Sequence, residues 1–306
     1  MKDLEKAYQF LDEEGIQNKR DCSLKQYTTL HIGGLADLVA EPSSVEQIIR
    51  CIQIADSCNL PYYILGNGSN VLAKDEGFRG LVIVLSTNYH AMEVLDETRI
   101  RVQSGASLKA VCSYCRDASL SGLEFACGIP GSIGGGVVMN AGAYDGELQN
   151  VIEEVQYLDK EGRLHTLQRD DLQFSYRHSY FSDHFGIVTE VICRLKKGNK
   201  KQIQERMEEL MRLRRLKQPL DAYSAGSTFK RPAGNYASAL IRKAELMGYH
   251  VGDACVSTKH AGFLINKGKA TSEEFLTLIQ EVQKAVKAHS GYELECEIKM
   301  ISSKRE

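Results

Sequence analysis

The sequence predicts an α+β protein built from more than one domain, and three observations carry that prediction. Short apolar strands alternate with amphipathic helices through the first two thirds of the chain, the polar run 196–200 breaks the pattern, and a helix-rich segment then ends in one alternating strand. With 306 residues, 43% hydrophobic and 25% charged, the chain can bury substantial cores, and its length suits two or three domains. The formal charge of -2 gives no pull toward nucleic acid. The one basic cluster, 212–217, ends a helical pattern and reads as a solvated face. No apolar run approaches the roughly 18 residues a membrane span needs, and the start MKDLEKAYQFLDEEG is charged where a secretory leader would be apolar. The expectation is a cytoplasmic protein with neither a membrane nor a nucleic-acid partner.

Each element has its own signal. After an N-terminal helix, Ser43-Ser44-Val45-Glu46 has the form of a capping box, and Val45, Ile48, Ile49 and Ile52 follow helical spacing to an end near Asn59. Tyr62–Leu65 and 81–85 read as buried strands, and 93–95 with 100–102 as a hairpin around Asp96-Glu97-Thr98. A second hairpin, 155–158 with 164–167, turns at Lys160-Glu161-Gly162, and 187–195 closes the segment as a strand. Beyond the break at 196–200 the pattern predicts a helix to Lys217, another over 236–247, and a long one from Ser272 to His289. On that last helix Phe275, Leu278, Ile279, Val282 and Val286 share a face, Gly291 ends it, and 292–301 alternates as a strand. The boundary expected from this pattern divides 1–198, itself two subdomains meeting near residue 85, from 199–306.

Nine cysteines, an odd number scattered along the chain, suit a reducing compartment better than a disulfide framework. Cys112 and Cys115 form the one CxxC, but they fall in the helical pattern of Leu108 and Val111, which favours core packing over redox or metal chemistry. No metal-ligand spacing stands out.

Two glycine-bearing segments carry the first functional signal. Gly66-Asn67-Gly68-Ser69-Asn70 follows an apolar strand, where glycines let the backbone turn tightly and aim N–H groups at an anion; a plain tight turn accounts for it equally well. It is neither GxGxxG nor GxxxxGK[ST], which disfavours an ordinary Rossmann or P-loop enzyme. The second segment, 122–144, holds seven glycines in 23 positions without low-complexity bias. Glycine costs about 0.5–1 kcal/mol against alanine inside regular structure, so this density points to backbone lying close on a large flat or charged ligand.

LGNGSNVLAKDEGFRGLVI and GLEFACGIPGSIGGGVVMNAGAYDGE resemble the FAD-binding signatures of the UDP-N-acetylenolpyruvoylglucosamine reductase family, within the vanillyl-alcohol-oxidase-like (PCMH-type) flavoproteins. Tyr27-Thr-Thr-Leu-His-Ile-Gly-Gly-Leu-Ala-Asp37 is similar to the family's N-terminal signature, and the resemblance runs in order over nearly the whole chain. It implies a two-subdomain FAD-binding fold followed by an α+β substrate-binding domain, with FAD held non-covalently and NADPH as electron donor. It assigns cofactor contacts to Gly66, Asn67, Gly68, Ser69 and Asn70, and to Gly128, Ser132, Ile133, Gly134, Gly135, Asn140, Ala141 and Gly142. The implied partner is a UDP-sugar carrying an enolpyruvyl ether, used in peptidoglycan precursor synthesis, and the implied assembly is a monomer or weak oligomer.

Reducing an enol ether needs a hydride source over one alkene carbon, an acid for the other, and groups that hold the carboxylate where charge develops. In Phe174-Ser-Tyr-Arg177-His-Ser179, arginine could grip a carboxylate bidentately, although alone it is an ordinary surface residue. The segment resembles the family's YR-S motif, which makes Arg177 catalytic and Tyr176 a substrate contact. Ser224-Ala-Gly-Ser227-Thr-Phe-Lys230 lacks a GxSxG elbow, so no hydrolase triad is supported; it resembles the motif whose serine, here Ser227, donates the proton. In Leu294-Glu295-Cys296-Glu297-Ile298-Lys299-Met300 the alternation alone suggests a solvated polar face. The family's LE-E-R signature instead makes Glu297 an assistant to protonation. Lys217 resembles a lysine on the substrate diphosphate. Lys299, also taken as a substrate contact, stands where arginine is usual, and Arg231 where asparagine is common. The compact stretch 176–185 resembles the short form of the enzyme, without a tyrosine-bearing lid loop. His260 fits either a flavin-facing or a packed histidine.

Overall fold

In the computed structural model, which describes residues 2–302, the local signals become elements in chain order. Helix α1 (Lys2–Glu13) buries Ala7 and Leu11, and α2 (Val45–Ser57) buries Ile48, Cys51, Ile52, Ile54 and Ala55. The α2 cap lies one residue later than the sequence pattern suggests. Ser44 is the N-cap and accepts the Gln47 N–H at 3.2 Å, while Gln47 Oε1 accepts the Ser43 N–H at 2.8 Å. Glutamine serves at the third helical position as well as glutamate does, because the interaction needs only a side-chain oxygen reaching back.

The contacts gather into two compact units. The first takes the chain up to Lys19, Leu38–Asn67 and Leu81–Leu213. In the sheet ordered Gln17–Ser23, Leu35–Glu41, Phe78–Val84, Tyr62–Leu65, the last two strands run parallel, with Tyr62 beside Leu81 and Leu65 beside Val84. Ile48, Ile52, Leu81, Ile83 and Tyr89 form the core beneath it. An antiparallel five-stranded sheet contains both predicted hairpins, Met92–Val94 with Arg99–Gln103 and Ile152–Leu158 with Leu164–Gln168, joined through Ile187–Arg194. Against it pack α3 (Leu108–Asp117), α4 (Ile133–Val138) and α5 (Lys200–Lys217).

The second unit takes Arg20–Asp37, Gly68–Gly80 and the chain from Arg214. Its antiparallel sheet is ordered Tyr223–Ser224, Leu264–Asn266, Ala254–Val256, His250–Val251. Helix α6 (Ala237–Lys243) is shorter than the predicted 236–247, because Glu245 takes a φ of 58°, which a continuing helix cannot hold. Helix α7 (Ser272–Ser290) buries the predicted stripe. Thr271 and Glu274 form a capping box at its start and left-handed Gly291 closes it. Thr271→Ala is expected to cost about 0.5–2 kcal/mol, read as a lower denaturant midpoint.

These contacts do not fall on either side of residue 198. On α5, Ile203, Met207 and Leu210 share a core with Ile100 and Val111, while Leu30, Ile32 and Leu72 share the core of α7. Burial of apolar faces, rather than a polar break in the chain, decides which segments belong together.

The predicted strand 292–301 is realised in two pieces. Cys296 bridges Phe229, with Lys230 N–H to Glu295 O at 2.9 Å and Glu297 N–H to Thr228 O at 2.8 Å; then Lys299–Ile301 pairs in parallel with Val71–Ala73. The segment stays extended but changes neighbour midway, so no single ladder runs its length.

Candidate active site

The loop after strand Tyr62–Leu65 is shaped by its glycines. Gly68 has φ +59°, and a Cβ on it would sit 1.9 Å from the Tyr27 carbonyl oxygen. Its own carbonyl accepts the Thr29 N–H at 3.1 Å, and Thr29 Oγ1 donates to Ser224 O at 2.6 Å. The segment Tyr27–Asp37, legible in the sequence only as a signature, is thus the buttress under this loop. Among the described residues, the backbone N–H groups of Gly66, Asn67, Gly68, Ser69 and Asn70 have no acceptor. A row of consecutive N–H groups left open in a tight loop is a nest suited to an anion.

The two predicted glycine segments meet within the first unit. Asn67 Nδ2 donates to Pro130 O at 3.0 Å, and a Cβ on Gly66 would lie 2.2 Å from Ser132 Oγ. Ser132 caps α4 by accepting the Gly135 N–H at 3.3 Å. The other early N–H groups of α4 are also occupied, Ile133 by Ala106 O and Gly134 by Ser104 O. The N–H groups of 133–135 are therefore taken by protein acceptors, unlike those of the 66–70 loop.

Most glycines of the second segment make room for protein atoms. A Cβ on Gly134, Gly136 or Gly142 would fall 2.6–2.7 Å from Ser104, Leu148 or Glu147. Gly135 differs: it is exposed, and a Cβ would meet only Ser132 Oγ, at 3.4 Å. Beside it the Ser104 side chain, 2% exposed, has no partner for Oγ among the described residues. Within the first unit, this open glycine face lies by Gly66 and Asn67, whose open N–H groups are donors suited to a dinucleotide's phosphate. Gly128 and Ala141 flank it as turn and packing residues: Gly128 follows buried Cys127, and the Ala141 N–H donates to Gly136 O at 2.8 Å.

Asn140 departs from its expected part as a cofactor contact. It is fully buried at φ 40°, and every polar atom of its side chain is engaged by protein. Nδ2 donates to Ser175 O at 2.9 Å and to Glu147 Oε2 at 3.2 Å, and Oδ1 accepts the Gln149 N–H at 3.0 Å. Arg177, half-buried, lies in the turn Ser175–His178 with its guanidinium 5.1 Å over the exposed Tyr176 ring.

In the second unit Ser227 is exposed, following left-handed Gly226, and its hydroxyl has no partner among the described residues. Thr228, next to it, is fully buried: its N–H donates to Gly262 O and its Oγ1 accepts the Leu264 N–H. Because the Glu297 N–H donates to Thr228 O, half-buried Glu297 stands one register position from Ser227. The structure therefore places the backbones of these two predicted residues in neighbouring extended segments. Lys217 ends α5 and Lys299 begins the last strand, both exposed, while Arg231 stacks 4.3 Å over the Tyr236 ring.

Cys112 and Cys115 face the core on α3. Burial pushes the Cys115 thiol up to about 12 and Cys112 well above its usual range, so both are inert thiols. Burial also lowers the pKa of half-buried His260, and its Nδ1 accepts the Gly262 N–H at 3.2 Å. Among the described residues, no helix is long and apolar enough to cross a membrane, and no cluster of three or more His, Cys, Asp or Glu could hold a metal ion.

Comparison with known proteins agrees along the chain. Residues 36–168 match the family described as FAD binding domain, and residues 218–301 the UDP-N-acetylenolpyruvoylglucosamine reductase, C-terminal domain. A UDP-N-acetylenolpyruvoylglucosamine reductase of Clostridium novyi is 44% identical over 301 residues, covering 98% of this chain and 97% of the relative. One from Agathobacter rectalis is 46% identical over 293 residues, covering 92% and 93%. The crystal structure of the UDP-N-acetylenolpyruvylglucosamine reductase of Thermus caldophilus superposes with a TM-score of 0.78 at 36% identity, covering 93% of this chain and 98% of that one.

Proposed function

The chain belongs to the UDP-N-acetylenolpyruvoylglucosamine reductase family, and from that premise we propose how its own residues divide the work. The reaction is the NADPH-dependent reduction of UDP-N-acetyl-3-O-(1-carboxyvinyl)-glucosamine to UDP-N-acetylmuramate through bound FAD, a step of peptidoglycan precursor synthesis. Bound FAD supplies the means of taking a hydride from NADPH and delivering one to an alkene carbon.

The residues that would hold the cofactor are Gly66–Asn70 through their N–H groups and Ser132–Gly135 through their small, close-packed surface. The N–H nest of 66–70 is the observation that carries this reading. Arg177 grips the substrate carboxylate, and its permanent charge stabilises the negative charge that develops when hydride arrives at the methylene carbon. Ser227 protonates the carbon bearing the carboxylate. An alcohol is a weak acid, so Glu297, one register position away, assists the transfer. Lys217 and Lys299 take the charged remainder of the UDP-sugar, with Tyr176 beside Arg177. The C-terminal part, from about residue 199, supplies the other substrate contacts, and the part before it holds the cofactor and contributes Arg177 and Tyr176. A soluble nucleotide sugar and NADPH suit the cytoplasm, and we read the enzyme as a monomer or weak oligomer.

The decisive experiment is the visible spectrum of the purified protein, followed anaerobically. Flavin bands should bleach with NADPH and return on adding the enolpyruvyl sugar nucleotide. A colourless protein, or a reduced flavin reoxidised only by oxygen, would overturn the reading.

A further inference from the structure

The turn that carries Arg177 is strained and doubly anchored. Ser175 and His178 close it by reciprocal hydrogen bonds, the Ser175 N–H to His178 O at 3.1 Å and the His178 N–H to Ser175 O at 3.2 Å. Arg177 holds a φ of 54° inside it, a left-handed position that strains a non-glycine residue. Such a conformation persists only where the surroundings over-determine it. Two fully buried side chains do so here. Asn140 Nδ2 holds the carbonyl of Ser175 on one side of the turn, and on the other Ser179 Oγ donates to Val138 O at 2.8 Å. Both anchors lead to one place, the end of α4 and the residues just after it.

Asn140 is itself fixed by the hairpin that follows. Gly142–Ala143 pairs with Gly146–Glu147 across Tyr144 and Asp145, whose φ values of 50° and 64° match a type I′ turn. Glu147 Oε2 accepts from Asn140 and, at 2.6 Å, from Gln149 Nε2. Arg177 Nη2 then lies 3.4 Å from the Gly142 carbonyl oxygen. From these contacts we propose that Asn140, seconded by Ser179, is a positioning residue that fixes the Arg177 guanidinium against the glycine segment. Asn140 does so while touching neither cofactor nor substrate. The inference rests on the part given to Arg177, and it replaces the cofactor contact expected of Asn140.

The test uses the holoenzyme and resolves the two half-reactions by stopped flow. Asn140→Ala should slow reoxidation by the enolpyruvyl sugar at least tenfold, leave flavin reduction by NADPH nearly unchanged, and add little to the loss caused by Arg177→Ala. Ser179→Ala, which removes one hydroxyl, should show the same non-additivity with a smaller loss, and it answers the question if Asn140→Ala does not fold. Equal slowing of both half-reactions, or losses that multiply with that of Arg177→Ala, would overturn the positioning role alone. An Arg177→Ala enzyme of normal reoxidation rate would overturn the part given to Arg177, and this inference with it.

Discussion

Ser227→Ala is expected to slow reduction of the enolpyruvyl sugar by about 10²- to 10⁴-fold, the usual worth of a positioned proton donor, while flavin reduction by NADPH stays nearly as fast as before. The lost barrier lowering would be about 2.7–5.5 kcal/mol. Stability should hardly change. Ser227 is exposed and its hydroxyl is unpartnered among the described residues, whereas the backbone beside it is held by the buried Thr228 through Gly262, Leu264 and Glu297. Removing a hydroxyl from such a position stays within about 0.5 kcal/mol of neutral. Rapid-mixing measurement of each half-reaction separates the outcomes, and equal loss in both would reject Ser227 as the donor.

Gly68→Ala should empty the cofactor site. An alanine there must adopt φ +59°, at about 1–2 kcal/mol, and place its methyl 1.9 Å from the Tyr27 carbonyl oxygen, an overlap that backbone must move to relieve. Moving it turns the N–H row of 66–70 away from its common target, so the protein should purify with little flavin and a lower melting temperature. Gly291→Ala is the control. It meets the same backbone restriction at φ +75° with nothing within 4 Å, so it should lose some stability and keep its flavin. Full flavin content in Gly68→Ala would remove the loop from the cofactor site.

The elements most legible in the sequence were those whose signals are local. The α7 stripe and Gly291 lie within about twenty residues, and both hairpins turn at short polar runs. Where a partner is distant, the pattern was incomplete. Alternation over 292–301 gave the extended backbone, but nothing in it revealed that Phe229 would be one neighbour and Val71–Ala73 the next. The glycine segment was similar: its density pointed to a ligand, yet Gly134, Gly136 and Gly142 chiefly admit Ser104, Leu148 and Glu147. Asn140 lies in the signature, and no sequence signal could show Ser175, 35 residues on, as its acceptor.

By itself the sequence determined the α+β class, most of the helices, both hairpins and the inert setting of Cys112 and Cys115, since periodicity, caps and motif order are properties of neighbouring residues. Tertiary structure alone decided which strand of chain joins which core, why each glycine is glycine, and what holds Arg177 in its left-handed turn. Those depend on close packing between segments far apart in the chain, where a few tenths of an ångström settle what fits.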